Sequence, residues 1–130
     1  MIVCAAIIRD GKVLLVRHSC ADKPDYGDWL LPAGRVKQGE SLEEALEREI
    51  RKELSLGIRV IKKLAELVDS YTGDRLTIFL CIPLASGVEI SSEREEAKRF
   101  TGGEIYNLEN IHPGLKQLLI DSLESWYHAR

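Results

Sequence analysis

Two glutamates spaced one helical turn apart, Glu49 and Glu53, fall on the apolar face of a predicted helix. With about 100° between successive residues, Glu53 lies about 40° from Glu49. The apolar residues within about 60° of Glu49 are Leu42, Ala45 and Leu46. Carboxylates on a packed face lose hydration and repel each other, so they need a partner. A hard divalent cation is one such partner, since Mg²⁺ and Mn²⁺ prefer oxygen ligands. The other solution is structural, with basic partners or solvent at the helix edge, and the helix alone favours it because charged helices are common.

A longer pattern surrounds these glutamates. The chain reads Gly34, five residues, Glu40, seven residues, Arg48-Glu49-Ile50, one residue, Lys52-Glu53, one residue and Ser55-Leu56. This pattern resembles the Nudix box, G-x5-E-x7-R-E-U-x-E-E-x-G-U, where U is a bulky aliphatic residue. The positions that match in register are Gly34, Glu40, Arg48, Glu49, Ile50, Glu53 and Leu56. The preceding segments "DGKVLLVRH" and "GDWLLPAG" also resemble the approach to that box. A match at many fixed positions is far more specific than a lone short motif.

The resemblance implies a fold and an activity. The implied fold is α/β (α+β): a Nudix-like α/β/α sandwich with a mixed β-sheet, as a single domain over residues 1–130. The implied activity is metal-dependent hydrolysis of a pyrophosphate bond in a nucleoside diphosphate derivative, by attack of water on phosphorus. Candidate substrates are a nucleoside triphosphate, an oxidised one included, a dinucleoside polyphosphate or a nucleotide sugar. The implied cofactor is Mg²⁺ or Mn²⁺, which neutralises the anionic pyrophosphate and acidifies the attacking water.

The same resemblance assigns roles to the box residues. Glu49 and Glu53 are the expected metal ligands and catalytic carboxylates, with a backbone carbonyl near Gly34 as a further ligand. Gly34 is small enough to bring the backbone close to the metal and the phosphates of the substrate. Arg48 is expected to orient a box glutamate by a charge-assisted hydrogen bond, and is counted with the catalytic residues for that reason. Glu40 is expected to be structural, bonding back near the start of the helix.

A further carboxylate often joins such sites from a loop well after the box. Glu93, Glu95 and Glu96 are the candidates here. Glu96 is preferred as a catalytic residue because "EAKRF" resembles the segment that follows that loop. The alternative is that these are ordinary solvated glutamates.

Two positions depart from the box, which has glutamate at Lys52 and glycine at Ser55. Because Gly57 follows two residues after Ser55, the helix end is expected to shift. Lys52 leaves three consequences open: weaker metal binding through fewer ligands, an ammonium that contacts substrate phosphate, or a silent site. Weaker metal binding is the preferred hypothesis, since an ammonium raises the electrostatic cost of each cation. The alternative function is therefore a catalytically weak or silent nucleotide-binding module. A third hypothesis is an unrelated α+β scaffold with an acidic surface helix.

Aromatic residues are the remaining candidates for substrate binding. Trp29 is expected to be half core and half pocket wall. Tyr71 lies at a spacing reminiscent of dinucleoside polyphosphate hydrolases in the family, although a turn-flanking tyrosine explains it equally. Tyr26 and Phe100 could also stack on a base. Phe79 lies inside an apolar strand, so the core is its expected place.

The elements that position these residues follow from periodicity and turn signals. Strands are predicted at Ile2–Ile8 and Val13–Val16 around an Asp10-Gly11 hairpin turn. Ser41 and Glu44 form a capping box, so a helix is predicted from there to about Leu54. Further strands are predicted at residues 58–68 and 75–84, a loop with one or two short strands at residues 86–111, and a last helix from near Pro113.

Composition limits the partners. A chain of 130 residues with 30% charged residues and a net charge of −3 indicates one globular domain without a basic surface for nucleic acid. No apolar run approaches the roughly 18 residues that span a bilayer. The three cysteines, Cys4, Cys20 and Cys81, show no paired spacing, so a reducing, cytoplasmic location is expected. The expected partner is a small-molecule nucleotide; homodimerisation is common among similar proteins and stays open.

Overall fold

The secondary structure comes from a computed structural model that describes residues 1–18, 27–68, 72–85 and 95–128. For residues 18, 95 and 126–128 only the backbone is described. The strands are β1 (Ile2–Arg9), β2 (Lys12–His18), β3 (Trp29–Leu30), β4 (Ala33–Arg35), β5 (Ile58–Val68), β6 (Arg75–Pro83) and β7 (Glu95–Thr101). The helices are α1 (Leu42–Leu54), α2 (Gly102–Tyr106) and α3 (Pro113–His128).

The hairpin between β1 and β2 is the one the sequence predicts. Asp10 and Gly11 have φ angles of 52° and 75°, as a two-residue hairpin turn of the favoured twist requires. Beyond this hairpin β1 pairs in parallel with β6, and the sheet runs in the order β3-β2-β1-β6-β5. β4 pairs with the first half of β1, and β7 pairs with β2. The sheet is therefore mixed.

Alternation along the central strand puts a core on each side of the sheet. Val3, Ala5 and Ile7 of β1 pack in one buried cluster with the apolar face of α1. The residues between them in β1 pack in a second cluster, together with side chains of α2 and α3. Helices thus cover both faces of a mixed sheet, which confirms the predicted α/β/α sandwich. Within the described residues, no helix combines the length and the apolar composition needed to cross a membrane.

Helix α1 begins and ends where the sequence predicts, at Leu42 and Leu54. The Ser41 hydroxyl accepts from the Glu44 N–H while the Glu44 carboxylate accepts from the Ser41 N–H, which is the predicted capping box. The expected shift of the helix end toward Gly57 does not occur. Ser55 itself takes the left-handed conformation, with φ 53°, and its N–H donates to the carbonyl of Arg51. Leu56, directly after it, is buried.

The segment before the last helix is more regular than the sequence suggests. β7 pairs with β2 along its whole length, from Lys12 opposite Thr101 to His18 opposite Glu95. α2 was not predicted, and its Thr101–Glu104 capping box is the signal that could have revealed it. The two glycines that open α2 obscure that signal, because glycine is a poor helix former. α3 begins at Pro113 as predicted.

The cysteines that are described behave as core residues. Cys4 and Cys81 are both buried, as expected of small apolar residues in strands. Burial raises the pKa of the Cys81 thiol to about 12, so it stays protonated at neutral pH. Cys20 lies outside the described residues.

Candidate active site

β4 and α1 meet at a contact that only glycine allows. A Cβ built on Gly34 would lie 2.1 Å from Cγ, 2.6 Å from Cβ and 2.7 Å from Cδ of Glu49. Real Cβ atoms essentially never come within 3.0 Å of a heavy atom from a residue elsewhere in the chain. The Glu49 side chain, 12% exposed, therefore lies directly against the backbone of β4. Gly34 and Glu49 are also two of the residues that the sequence pattern assigns to one site.

An arginine fixes the orientation of that carboxylate. Arg48 Nη1 donates to Glu49 Oε1 at 2.5 Å, which is the hydrogen bond that the sequence predicts. The Arg48 guanidinium is held in turn by both oxygens of Glu40, at 2.7 and 2.9 Å, and by the carbonyl of Arg35 at 3.1 Å. Glu40 Oε1 also accepts from the N–H of Lys37 at 2.8 Å. Glu40 thus has the structural position expected of it, and a planar fork of this kind leaves Arg48 little freedom.

These contacts also fix charge states. The Arg48 hydrogen bonds, followed by that from the Lys37 N–H, lower the pKa of Glu40 to about 2. Hydrogen bonds to Glu40 and Glu49 raise the pKa of Arg48 above its usual range. Glu40 and Arg48 therefore stay ionised at every pH at which the protein would act.

The other two charged side chains of the box are Lys52 and Glu53. Glu53 is partly buried on α1, one turn beyond Glu49, and Lys52 beside it is exposed. In the part of the chain that the structure describes, neither forms a hydrogen bond or an ion pair. Together with Glu40, Arg48 and Glu49, they form a cluster of three carboxylates and two cations, so its net charge is a single negative one.

The chemistry of these donors fits a hard cation. Glu49 and Glu53 would hold it, with a backbone carbonyl beside Gly34, and all of these donors are oxygens. No three His, Cys, Asp or Glu side chains are grouped tightly enough to hold a metal ion within the described ranges. Mg²⁺ commonly binds proteins through one or two carboxylates and completes its shell with water and substrate phosphate. The arrangement therefore fits an ion that is shared with a substrate better than one enclosed by protein.

Glu96 is not brought to this cluster. It lies in β7 rather than in a loop, opposite Arg17 of β2, and the two side chains form an ion pair. The next residue, Ala97, packs in the cluster under α1. Because side chains alternate along a strand, Glu96 faces away from α1. Glu93 lies outside the described residues, and only the backbone of Glu95 is described.

Trp29 is a core residue and does not form a pocket wall. It is 5% exposed and meets Phe100 edge to face, with ring centroids 4.9 Å apart. The Arg17 guanidinium covers it, 4.7 Å from the ring centroid. Phe100 is equally buried, so neither ring is open to a base, and Phe79 is buried as predicted. Tyr26 and Tyr71 lie outside the described residues.

A groove of about 560 Å³ lies elsewhere, between α1 and β5. Its α1 wall carries Glu43 and Glu47, its β5 wall carries Lys62 and Lys63, and Phe79 contributes to its lining. Glu47 is two residues from Glu49 and so points to the other side of the helix. We place the candidate active site at Glu49 because the groove contains neither the glycine contact nor the Arg48 network.

Two backbone groups contribute to the site, and side-chain types could not predict them. The carbonyl of Arg35 and the N–H of Lys37 hold Arg48 and Glu40 through the backbone. Their contribution depends on the path of the chain between β4 and α1, and no residue type signals it.

Comparison with known proteins identifies the family. The family model of the NUDIX domain matches residues 1–121, and the chain therefore belongs to the Nudix family. This excludes the unrelated acidic scaffold. The crystal structure of a NUDIX hydrolase from Nitrosomonas europaea superposes with a TM-score of 0.77 at 23% identity, over 99% of this chain and 72% of that one. That likeness shows the shared fold.

Curated relatives are similar over different parts of the chain. A putative nudix hydrolase 1 of Caenorhabditis elegans is 31% identical over 121 residues, which cover 89% of this chain and 31% of the relative. The nucleoside triphosphatase NudI of Escherichia coli is 47% identical over 53 residues, which cover 41% of this chain and 38% of that protein. The matched segments thus span about a third of the length of these relatives.

Proposed function

We propose that this chain hydrolyses a pyrophosphate bond in a nucleoside diphosphate derivative, with Mg²⁺ or Mn²⁺, by attack of water on phosphorus. The observation that carries the proposal is the fixed position of Glu49, packed on Gly34 and bonded to Arg48, with Glu53 one turn away on the same helix. A nucleoside triphosphate is the favoured substrate, because a 53-residue segment of the chain is 47% identical to a nucleoside triphosphatase. A dinucleoside polyphosphate and a nucleotide sugar are the other candidates.

The side chains divide the work according to their contacts. Arg48 holds Oε1 of Glu49, which leaves Oε2 as the oxygen that can face the substrate side. Glu40 holds Arg48 and so positions Glu49 indirectly. Glu53, whose oxygens have no partner among the described residues, can take a proton from the attacking water or bind the cation. A bound divalent ion would neutralise charge on the pyrophosphate and make that water more acidic.

A second function is favoured by one specific observation, the exposed Lys52 at a box glutamate position. If the ammonium prevents productive metal binding, the domain binds nucleotide without turning it over. Metal-dependent turnover separates this silent module from the hydrolase.

The test is release of phosphate or pyrophosphate from a panel of nucleoside triphosphates, dinucleoside polyphosphates and nucleotide sugars, with Mg²⁺ and with Mn²⁺. Wild type, Glu53→Gln and the matched control Glu47→Gln run together, because Glu47 is exposed on the other side of the same helix. We expect turnover that falls about 100-fold or more in Glu53→Gln and is retained in Glu47→Gln. Absence of turnover across the panel, together with nucleotide binding, would establish the silent module instead.

Other features stay predictions from the sequence. They are the single-domain organisation of residues 1–130, the cytoplasmic location and the possible homodimer.

A further inference from the structure

The charge balance of the candidate site differs from that of the box it matches. With glutamate at residue 52 the five box side chains would include four carboxylates and one arginine; here Lys52 leaves one net negative charge. One oxygen of Glu49 is already bonded to Arg48, and both oxygens of Glu40 are bonded to the same guanidinium. The oxygens that remain belong to Glu53 and to one side of Glu49. A bare divalent ion would therefore meet few free ligands and little net attraction.

Among the described residues, the ammonium of Lys52 forms no hydrogen bond or ion pair, unlike the guanidinium of Arg48. Arg48 is held by three groups, so it cannot turn toward a substrate without breaking them. Arg51 lies on the other side of the helix, where its Nη2 would be 3.0 Å from a Cβ placed on Gly57. Lys52 is exposed, without a partner in the described part of the chain, and follows Glu49 by three residues on the same helix. Side chains three residues apart on a helix are neighbours, and the flexible stem of lysine suits a phosphate contact.

We propose that Lys52 makes metal binding and diphosphate binding depend on each other, an inference that rests on the site assigned under the proposed function. By itself the site binds a divalent ion weakly. A diphosphate bonded to Lys52 brings the missing oxygen ligands and the missing negative charge, so the ion binds together with it. By linkage, the ion then tightens diphosphate binding by the same factor.

The experiment measures binding without turnover. The probes are Mn²⁺ alone, followed by electron paramagnetic resonance, and methylenediphosphonate, a diphosphate analogue that cannot be hydrolysed, followed by calorimetry with and without Mn²⁺. The variants are Lys52→Gln and Lys52→Glu. Arg51→Gln and Arg51→Glu are the matched controls, since they make the same charge change at the adjacent residue on the other side of α1.

We expect Lys52→Glu to bind Mn²⁺ alone about tenfold more tightly than wild type, with Lys52→Gln in between. We expect both Lys52 variants to bind metal-free methylenediphosphonate about tenfold more weakly. In wild type, methylenediphosphonate should tighten Mn²⁺ binding at least tenfold, after correction for the Mn²⁺–methylenediphosphonate complex that forms in solution. The factor by which it tightens Mn²⁺ binding should be smaller in both Lys52 variants. The Arg51 variants should stay within about twofold of wild type in each measurement.

Two results would overturn the inference. One is that the Lys52 variants have the same affinities for Mn²⁺ and for methylenediphosphonate as the Arg51 variants. The other is a Lys52→Glu protein, folded by circular dichroism, that binds Mn²⁺ more weakly than wild type. Neither result depends on turnover. If hydrolysis is lost in Glu53→Gln but binding of both probes is unchanged in the Lys52 variants, only this inference is refuted. Conversely, Lys52-dependent coupling in a protein without turnover supports it and refutes the proposed hydrolysis.

Discussion

Gly34→Ala should displace Glu49 and inactivate the site. The new Cβ would lie 2.1 Å from Glu49 Cγ, whereas ordinary contacts begin at 3.4 Å, so Cγ must move about 1.3 Å. A change of side-chain rotamer cannot relieve the clash, because Glu49 Cβ, bonded directly to the helix backbone, would be only 2.6 Å away. The helix must therefore move as well, which costs about 1–3 kcal/mol of folding free energy. A misplacement of about 1 Å in a catalytic group lowers activity roughly 100-fold.

The assay combines kcat/KM on the nucleotide found active with the free energy of unfolding from urea titration. Gly103→Ala is the control, because the nearest atom to its Cβ would be Thr101 Oγ1 at 4.0 Å. Gly103 also lies in a helix, where alanine is the better residue, so the control should be as stable as wild type or slightly more stable. A Gly34→Ala protein with wild-type activity and stability would refute the packing of Glu49 on β4.

Three further changes test other parts of the account. Arg48→Lys should lower kcat/KM about tenfold or more at every pH, because the three N–H groups of one ammonium cannot replace the four hydrogen bonds of the planar guanidinium. Wild-type kinetics would show that these hydrogen bonds are dispensable. The pKa of Glu40 is lowered from 4.5 to about 2, so its stabilising effect is full above pH 4.5 and is lost as pH falls toward 2. Urea titrations should therefore show the stability difference between wild type and Glu40→Gln shrinking over that range, and a constant difference would contradict the ion pair. Ser55→Gly should stabilise the protein by about 1 kcal/mol, because φ 53° strains serine and suits glycine; thermal unfolding at an unchanged or lower temperature would argue against that strain.

Local signals predicted the parts of the fold that local physics determines. Asp10-Gly11 can take the paired positive φ angles of a tight hairpin, and Ser41 with Glu44 satisfies the first N–H groups of α1. Each of these depends on residues within one turn of each other. The fixed spacing from Gly34 to Glu49 predicted a shared site in the same way, because a glycine and a carboxylate at that separation match a known pattern.

Side-chain positions were hardest to predict where contacts between residues distant in sequence decide them. The left-handed residue that follows α1 is Ser55, and Gly57 does not take that conformation. Glu96 is turned away from α1 by its pairing with Arg17, whose partner strand is far back in the chain. Trp29 is covered by that same Arg17 and is not left open to a base. None of these pairings leaves a periodic signal in the sequence.

Hydrolysis in ¹⁸O-labelled water is the most direct test of metal-dependent attack of water on phosphorus at this site. A nucleoside triphosphate is incubated with Mg²⁺ and wild type, Glu53→Gln or Glu47→Gln, and the phosphate products are analysed by mass spectrometry. We expect Mg²⁺-dependent ¹⁸O in a phosphate product of wild type and of Glu47→Gln, and about 100-fold less product with Glu53→Gln. Equal rates for Glu53→Gln and wild type, or label absent from phosphorus, would contradict it.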